Sequence, residues 1–477
     1  MVALLILIPL IGIIILNMLP RETAKRTAFW FAMAIFMAQI FIALSQHTLF
    51  SGREAVEFYL VHGTALAIDS LGVIMLLSIG IVALPSLIVG QCMLSDRNEL
   101  FRFINLLIIT TIGMTGIIIV RDIFTLYVFL EITAVASFVL IAFRKDINGL
   151  EGAFKYLMLS AIATVLILTS IALILISSCG TSFAAIHEAL AQSGSNPLIV
   201  FAIVIFICGL LIKGGLVPFH GWLPDAYMAA PAPVSILLGG IVTKAAGIYT
   251  LIRMAASVFI FDERIRTMLM LLGTISILAG AFAALGQKNF KRMLAYSSIS
   301  QIGYIVLGFG TGTALGIAGA VFHLFNHAIF KSLLFVNAAA VEKQVGTNDM
   351  QKMGGLSSRM PVTGATSVIG MLSTSGIPPF AGFWSKLIII IALWQSAYYS
   401  YAAIAIMASV VTLAYFLYMQ RTVFFGELAV GLENIKEANF GFVLTSSILA
   451  AITIGVGLFF PIIFNIFFMP VKEILVK

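Results

Sequence analysis

The chain has 477 residues, of which 61 % are hydrophobic and only 10 % charged; soluble domains carry roughly 45–50 % apolar and about 25 % charged residues. So little charge cannot coat several globular bodies, which excludes a multidomain soluble protein, and the same apolar bias excludes a disordered, collagen-like or disulfide-stapled chain. The net charge of +7 is scattered between apolar runs, with no basic cluster interleaved with aromatics, so it reads as a topology signal and not as a nucleic-acid surface.

Mean hydropathy is +1.12, and apolar runs of about 20 residues recur, as membrane-crossing helices require. The runs are continuous, without the period-two alternation of a transmembrane barrel. The sequence therefore predicts an all-α polytopic membrane protein with about 14 transmembrane helices. In chain order the expected spans are 2–19, 27–45, 70–92, 103–120, 122–143, 154–177, 198–222, 233–256, 267–287, 294–311, 315–340, 361–394, 398–420 and 440–468. Ser182 to Gln192 is expected to form a short surface helix. The opening Met1-Val2-Ala3-Leu4-Leu5 lacks a basic n-region and is read as a retained first span. Cys92, Cys179 and Cys208 form no CxxC pair and support neither a disulfide framework nor an iron–sulfur site.

With the N-terminus outside, sixteen Lys and Arg fall in inside loops, among them Arg144, Lys155, Lys291 and Arg292. Seven fall outside: Arg53, Arg121, Arg253, Arg264, Arg266, Lys472 and Lys477. The positive-inside bias thus predicts both termini on the outer side. Lys213, Lys244, Lys331 and Lys386 remain, and all four lie within apolar spans. A charge at mid-bilayer costs about 2.5–3.5 kcal/mol on insertion scales. Glu131 is the one clear intramembrane carboxylate; Asp122 sits at a span edge, Asp225 follows Pro224 in a loop-like stretch, and Glu342 ends a span. A buried lysine whose acidic partner moves is a proton switch. The bland alternative is a lysine near a span end that snorkels to the interface, and it applies more to Lys331 and Lys386 than to Lys213 and Lys244.

Two spans carry breakers in mid-run. One holds Gly214, Gly215 and Pro218 in KGGLVPFHGW; the other holds Gly376, Pro378 and Pro379 in GIPPFAGFWSK. Setting Gly215 over Gly376 also aligns Pro218 with Pro379, Phe219 with Phe380 and Gly221 with Gly382, an offset of 161 residues. Five spans separate the copies, and an odd number inverts the second relative to the first. Backbone freed by Pro and Gly is tolerated in a membrane only against protein or a wet cavity. A functionless packing kink is the competing explanation. One further helix places His323, His327 and Lys331 four residues apart, hence on one face over roughly 12 Å. Such a ladder suits proton hopping. Structural hydrogen bonding to neighbouring helices and, with too few ligands in view, a metal site are the alternatives.

At these residues the chain resembles a known superfamily: the antiporter-like membrane subunits of respiratory complex I, the large subunits of Mrp-type cation/proton antiporters, and those of energy-converting membrane-bound hydrogenases. Four stretches carry the resemblance: Pro218–Pro233 (PFHGWLPDAYMAAPAP), Asn289–Gly303 (NFKRMLAYSSISQIG), Phe322–Leu334 (FHLFNHAIFKSLL) and Gly376–Lys386. The resemblance implies two inverted five-helix repeats with broken helices 7 and 12. That divides the chain into 1–100 (helices 1–3), 101–262 (first repeat), 263–425 (second repeat) and 426–477 (helix 14). It also implies a glutamate–lysine pair matching Glu131 and Lys213, a helix-eight lysine matching Lys244, helix-eleven positions matching His323, His327 and Lys331, and a helix-twelve position matching Lys386, where some branches carry glutamate.

The expected function is that of a proton-translocating subunit of a redox-driven membrane complex, complex I-like or of the membrane-bound hydrogenase type. Glu131–Lys213 would be the input switch, Lys244 the relay, the histidine ladder the onward path and Lys386 the output. An Mrp-type Na+/H+ antiporter subunit without redox partners is the alternative, and sodium stays open beside protons. The chain has no dinucleotide fingerprint, no cluster cysteines and no nucleophile–base pair, so no cofactor or catalytic centre is expected in it. Iron–sulfur clusters, flavin or a nickel–iron centre would reside in partner subunits, possibly a peripheral redox arm. The expected location is a plasma (inner) membrane. A stand-alone solute transporter would need a midplane pocket of mixed hydrogen-bonding groups, and a pure scaffold would not need four intramembrane cations.

Overall fold

The computed structural model describes residues 2–50, 56–59, 65–178, 180–192 and 196–471. Cys179, Arg53, Lys472 and Lys477 lie outside the described residues. The helices, in order, are α1 (Leu4–Met18), α2 (Arg21–Phe50), α3 (Ser70–Met93), α4 (Arg97–Ile119), α5 (Ile123–Ile141), α6 (Ile147–Leu175), α7 (Phe183–Gln192), α8 (Pro197–Gly214), α9 (Trp222–Ala229), α10 (Ala232–Ser257), α11 (Glu263–Leu285), α12 (Phe290–Gly310), α13 (Ala314–Val345), α14 (Pro361–Ser375), α15 (Ala381–Gln395), α16 (Tyr399–Val423), α17 (Phe440–Leu458) and α18 (Phe460–Val471). The short surface helix expected after the sixth span is α7. Between α2 and α3 an antiparallel pair, β1 (Val56–Tyr59) and β2 (Ala65–Ile68), was not anticipated.

The helix starts are set by short polar side chains. Asp69, Asp96, Asp122, Asp146, Asn196, Asp262, Asn289 and Thr313 each accept a hydrogen bond from a first-turn N–H of the helix that follows, satisfying donors that a helix leaves unpaired. Several helices begin earlier than their apolar runs, α4 at Arg97 and α6 at Ile147, because the cap and not the first apolar residue starts the turn.

Among the described residues twelve helices are long and apolar enough to cross a membrane, and the chain is a multi-pass membrane protein. The two remaining expected spans fall short of that length for different reasons. Helix α1 has 15 residues. The stretch 361–395 is divided into α14 and α15, each of 15 residues, about 22 Å apiece against a hydrocarbon core of about 30 Å.

The packing runs opposite to that of a soluble bundle. Helix α6, one of the most apolar, exposes side chains outward: Phe154, Val165 and, on other helices, Phe41, Trp394 and Met407 are more than half exposed. So much apolar surface needs lipid or protein to cover it. The least apolar helices, α10, α12 and α13, are almost wholly buried. The polar residues of those helices therefore face one another at the centre.

One close approach positions the site. A Cβ on Gly247 would lie 2.3 Å from the Gly214 Cα, so α10 meets the end of α8 backbone to backbone. Lys213 and Lys244 sit on the two helices that make this contact.

Candidate functional site: a buried row of amines and imidazoles

Helix α8 stops at Gly215, whose φ of +67° is a left-handed conformation that favours glycine. Trp222 Nε1 reaches back across the break and donates to the Ile212 carbonyl at 3.0 Å. The turn N–H of Val217 donates to Ser276 Oγ at 3.1 Å. The second break follows the same plan: α14 ends at Gly376, φ +82°, and the Gly382 N–H donates to Ser373 Oγ at 3.1 Å. Both breaks contain a cis X–Pro bond, at Val217–Pro218 and Pro378–Pro379.

Just before the first break, Lys213 Nζ donates to Glu131 Oε1 at 3.1 Å. Thr164 Oγ1 donates to the same oxygen at 2.7 Å. The lysine side chain is 4 % exposed and the glutamate 29 %. The pair is thus a buried cation held by an acid at the edge of the bundle, where Val128 and Val135 on the same helix face outward.

Lys244 is fully buried and lies where α10 widens into two π-helical stretches, Leu238–Val242 and Lys244–Tyr249. A π turn displaces carbonyls from their usual donors and is a frequent companion of function. Two consecutive carbonyls are used here: Lys244 Nζ donates to Gly239 O, and Tyr227 Oη donates to Leu238 O at 2.8 Å.

On α13, His323, His327 and Lys331 are all fully buried. The imidazoles of His323 and His327 are nearly parallel, with ring centres 6.4 Å apart. His323 Nδ1 is hydrogen-bonded to Ser385 Oγ at 2.8 Å. Neither ring nitrogen of His327 has a hydrogen-bond partner among the described residues, nor does His323 Nε2. Buried polar atoms rarely stay unpaired, so these nitrogens suit transient partners. Lys331 Nζ donates to Ser297 Oγ at 2.6 Å, and Tyr415 Oη donates to that same hydroxyl at 2.7 Å. Lys386, on α15, lies 4.5 Å from the Tyr304 ring centre and 3.5 Å from Ser409 Oγ.

The structure buries five of the seven expected residues, Lys244, His323, His327, Lys331 and Lys386, in the bundle, and the Tyr304 ring lies against both His323 and Lys386. Glu131 and Lys213 form a separate pair. Two buried tyrosines that the sequence did not single out accompany these groups. Tyr156 packs edge-on against Trp222 at the first break, ring centres 4.8 Å apart, and Tyr227 bonds Thr243, next to Lys244, at 3.1 Å. A tyrosine in an apolar run carries no charge to flag it.

Two cations counted as loop charges are in fact buried. Lys291, 3 % exposed, donates to Ala230 O at 2.8 Å and pairs with Glu342 at 3.3 Å. Arg253, also buried, grips Asp69 with two bonds of 2.5 and 2.7 Å, and Arg121 approaches the same acid at 3.6 Å. Counting along the chain cannot see the bundle close over its own helix ends. Burial alone would raise the Asp69 carboxyl; the guanidinium groups of Arg253 and Arg121 and the Gly72 N–H outweigh it and hold the acid well below the usual carboxylate range. No cluster of three or more metal-ligating side chains occurs among the described residues.

Residues 120–412 match the family described as NADH:quinone oxidoreductase/Mrp antiporter, TM. The chain belongs to this family. It is 31 % identical over 379 residues to a Na(+)/H(+) antiporter subunit of Alkalihalophilus pseudofirmus, covering 79 % of this chain and 76 % of that one. It is 32 % identical over 359 residues to NADH-quinone oxidoreductase subunit N of Desulforudis audaxviator, covering 74 % and 71 %. A chain of the membrane-bound sulfane sulfur reductase, an archaeal respiratory membrane complex, superposes with a TM-score of 0.90 at 29 % identity, over 100 % of this chain and 98 % of that one. The protein is an antiporter-like membrane subunit, homologous to both the antiporter and the oxidoreductase branches of the family.

Proposed function

We propose that this chain translocates protons as one subunit of a larger membrane complex driven by redox chemistry in partner subunits. The observation that carries the reading is the Glu131–Lys213 pair, a buried lysine held by an acid that stays partly open. Opening the pair leaves the lysine uncompensated and favours loss of its proton. Tyr156 and Tyr227 supply hydroxyls toward Lys244. His327, neither of whose nitrogens has a hydrogen-bond partner among the described residues, hands the proton between Lys244, Lys331 and His323. Lys386 is the output acceptor beside the second break. The two breaks, 161 residues apart, suit inverted repeats over 101–262 and 263–425, within a fourteen-helix chain whose termini face outside a plasma membrane. Partners are other membrane subunits and a peripheral arm holding iron–sulfur, flavin or nickel–iron groups; this chain would hold none. Replacing Lys213 by Met should abolish coupled proton uptake in proteoliposomes while the complex stays assembled. Unchanged uptake would remove the assigned role.

A second reading is an Mrp-type Na+/H+ antiporter subunit running on the ion gradient alone. The identity to the Alkalihalophilus pseudofirmus antiporter protein supports it, as does a lysine at position 386 where the resemblance allows glutamate. The metal and flavin content of the gently solubilised complex separates the two: redox centres favour the first, and only small hydrophobic partners favour the second.

A further inference from the structure

Beside the second break the structure holds a cavity of about 240 Å3 that is open to the outside of the chain. Its walls are apolar, from Ile377, Phe383, Leu387 and Ile390, and its rim carries Ile406 and Val410, which are 48 % and 59 % exposed on the outer face of α16. Three polar side chains also line it, Lys386, Ser375 and Ser409. Lys386 is 3 % exposed, and no carboxylate pairs with it among the described residues; its neighbours are the Ser409 hydroxyl and the Tyr304 ring. Ser375 is 2 % exposed, and its Oγ has no hydrogen-bond partner among the described residues.

We propose that this cavity binds a long-chain carboxylic acid, its head on Lys386 and Ser375 and its chain running out over Ile406 and Val410 into the bilayer. Three features select that ligand. The apolar walls reject hydrated ions and sugars. The lone amine selects an acid, and the buried hydroxyl offers it a second hydrogen bond. The opening faces the lipid side, so the ligand must arrive through the membrane. A phosphodiester stays ionised, and carrying that charge past an apolar rim is costly; a carboxylic acid enters neutral. Inside, the acid's O–H bond breaks and a new N–H bond forms on a neutral Lys386 amine, giving a carboxylate–ammonium pair with no net charge crossing the rim. The same pairing would occupy the proposed output group, so a bound acid is an inhibitor.

Binding is read directly, without transport, so its failure is distinguishable from failure of the translocation role. The intact complex in liposomes is photolabelled with a diazirine-bearing palmitic acid and the labelled peptides are mapped. Label is expected on 375–390 and 406–413. Palmitate should displace it about tenfold better than methyl palmitate, the effect of one charge-assisted hydrogen bond. Val410→Trp, which narrows the rim, should lower the labelling, and Lys386→Met in an assembled complex should abolish the preference for acid over ester. Equal competition by the ester in the unaltered protein, or labelling indifferent to Val410→Trp, overturns the proposal as mere lipid contact. Absence of label, with the Ile406→Cys variant cross-linking to another protein of the complex, overturns it in favour of a protein covering that face.

Discussion

Lys213 and Glu131 meet at 3.1 Å, yet the amine is buried and the carboxylate reaches the bundle's edge. The asymmetry means that the acid can be approached from outside without disturbing the amine. It predicts strong coupling between them. Lys213→Met and Glu131→Gln should each abolish coupled transport, and the double variant should be no worse than either alone, because residues acting as a unit are non-additive. Multiplicative losses in the double variant would argue for independent roles.

Tyr227 bonds Thr243, the neighbour of Lys244 in the chain. Replacing it by Phe keeps the ring against Phe335 and removes only the hydroxyl that bonds Leu238 O and Thr243. The expected loss of stability is about 1 kcal/mol for one hydrogen bond. The expected loss of proton transport is larger, about tenfold, equivalent to about 1.4 kcal/mol on the barrier. Stopped-flow acidification of proteoliposomes checks the rate, and thermal melting checks the stability.

Gly247 permits the contact between α10 and the end of α8. Gly247→Ala should misassemble or inactivate the protein, since its Cβ would meet the Gly214 Cα at 2.3 Å and backbone cannot swing aside. Gly455→Ala is the matched control: nothing lies within 4 Å of that Cβ, and an effect within about 0.5 kcal/mol is expected. Yield and melting of the purified variants measure both.

Asp69 lies outside the spans, with its carboxyl held low in the folded chain. Its contribution is therefore fully present above the unfolded carboxylate value, about 3.9, and is lost only as pH falls through the lower folded value. Stability from this group should be flat from about pH 5 upward. Asp69→Asn should destabilise at all those pH values by about 3–5 kcal/mol, because it strands Arg253 as a buried, unpaired cation. Denaturation midpoints at several pH values check this.

Much of this organisation was legible in residue types. Continuous apolar runs marked the spans, and lysines too costly to bury without purpose marked the row. Gly215, Pro218, Gly376 and Pro379 marked the breaks. Tyr156 and Tyr227 were not legible, because a hydroxyl among aromatics carries no composition signal. Lys291 and Arg253 were misplaced because their partners, Glu342 and Asp69, are distant in sequence. The π-helical widening around Lys244 left no trace either, since its pattern is that of any apolar helix.

The inverted packing has a consequence for biogenesis. Helix α13, with two imidazoles, an amine, Asn326 and Asn337 on its buried surface, is a poor candidate for partitioning into lipid alone as it leaves the translocon. Its oilier neighbour α3 precedes it in the chain and packs against it. It can wait in the bilayer as a ready-made berth, so that the polar centre is inserted late, into protein.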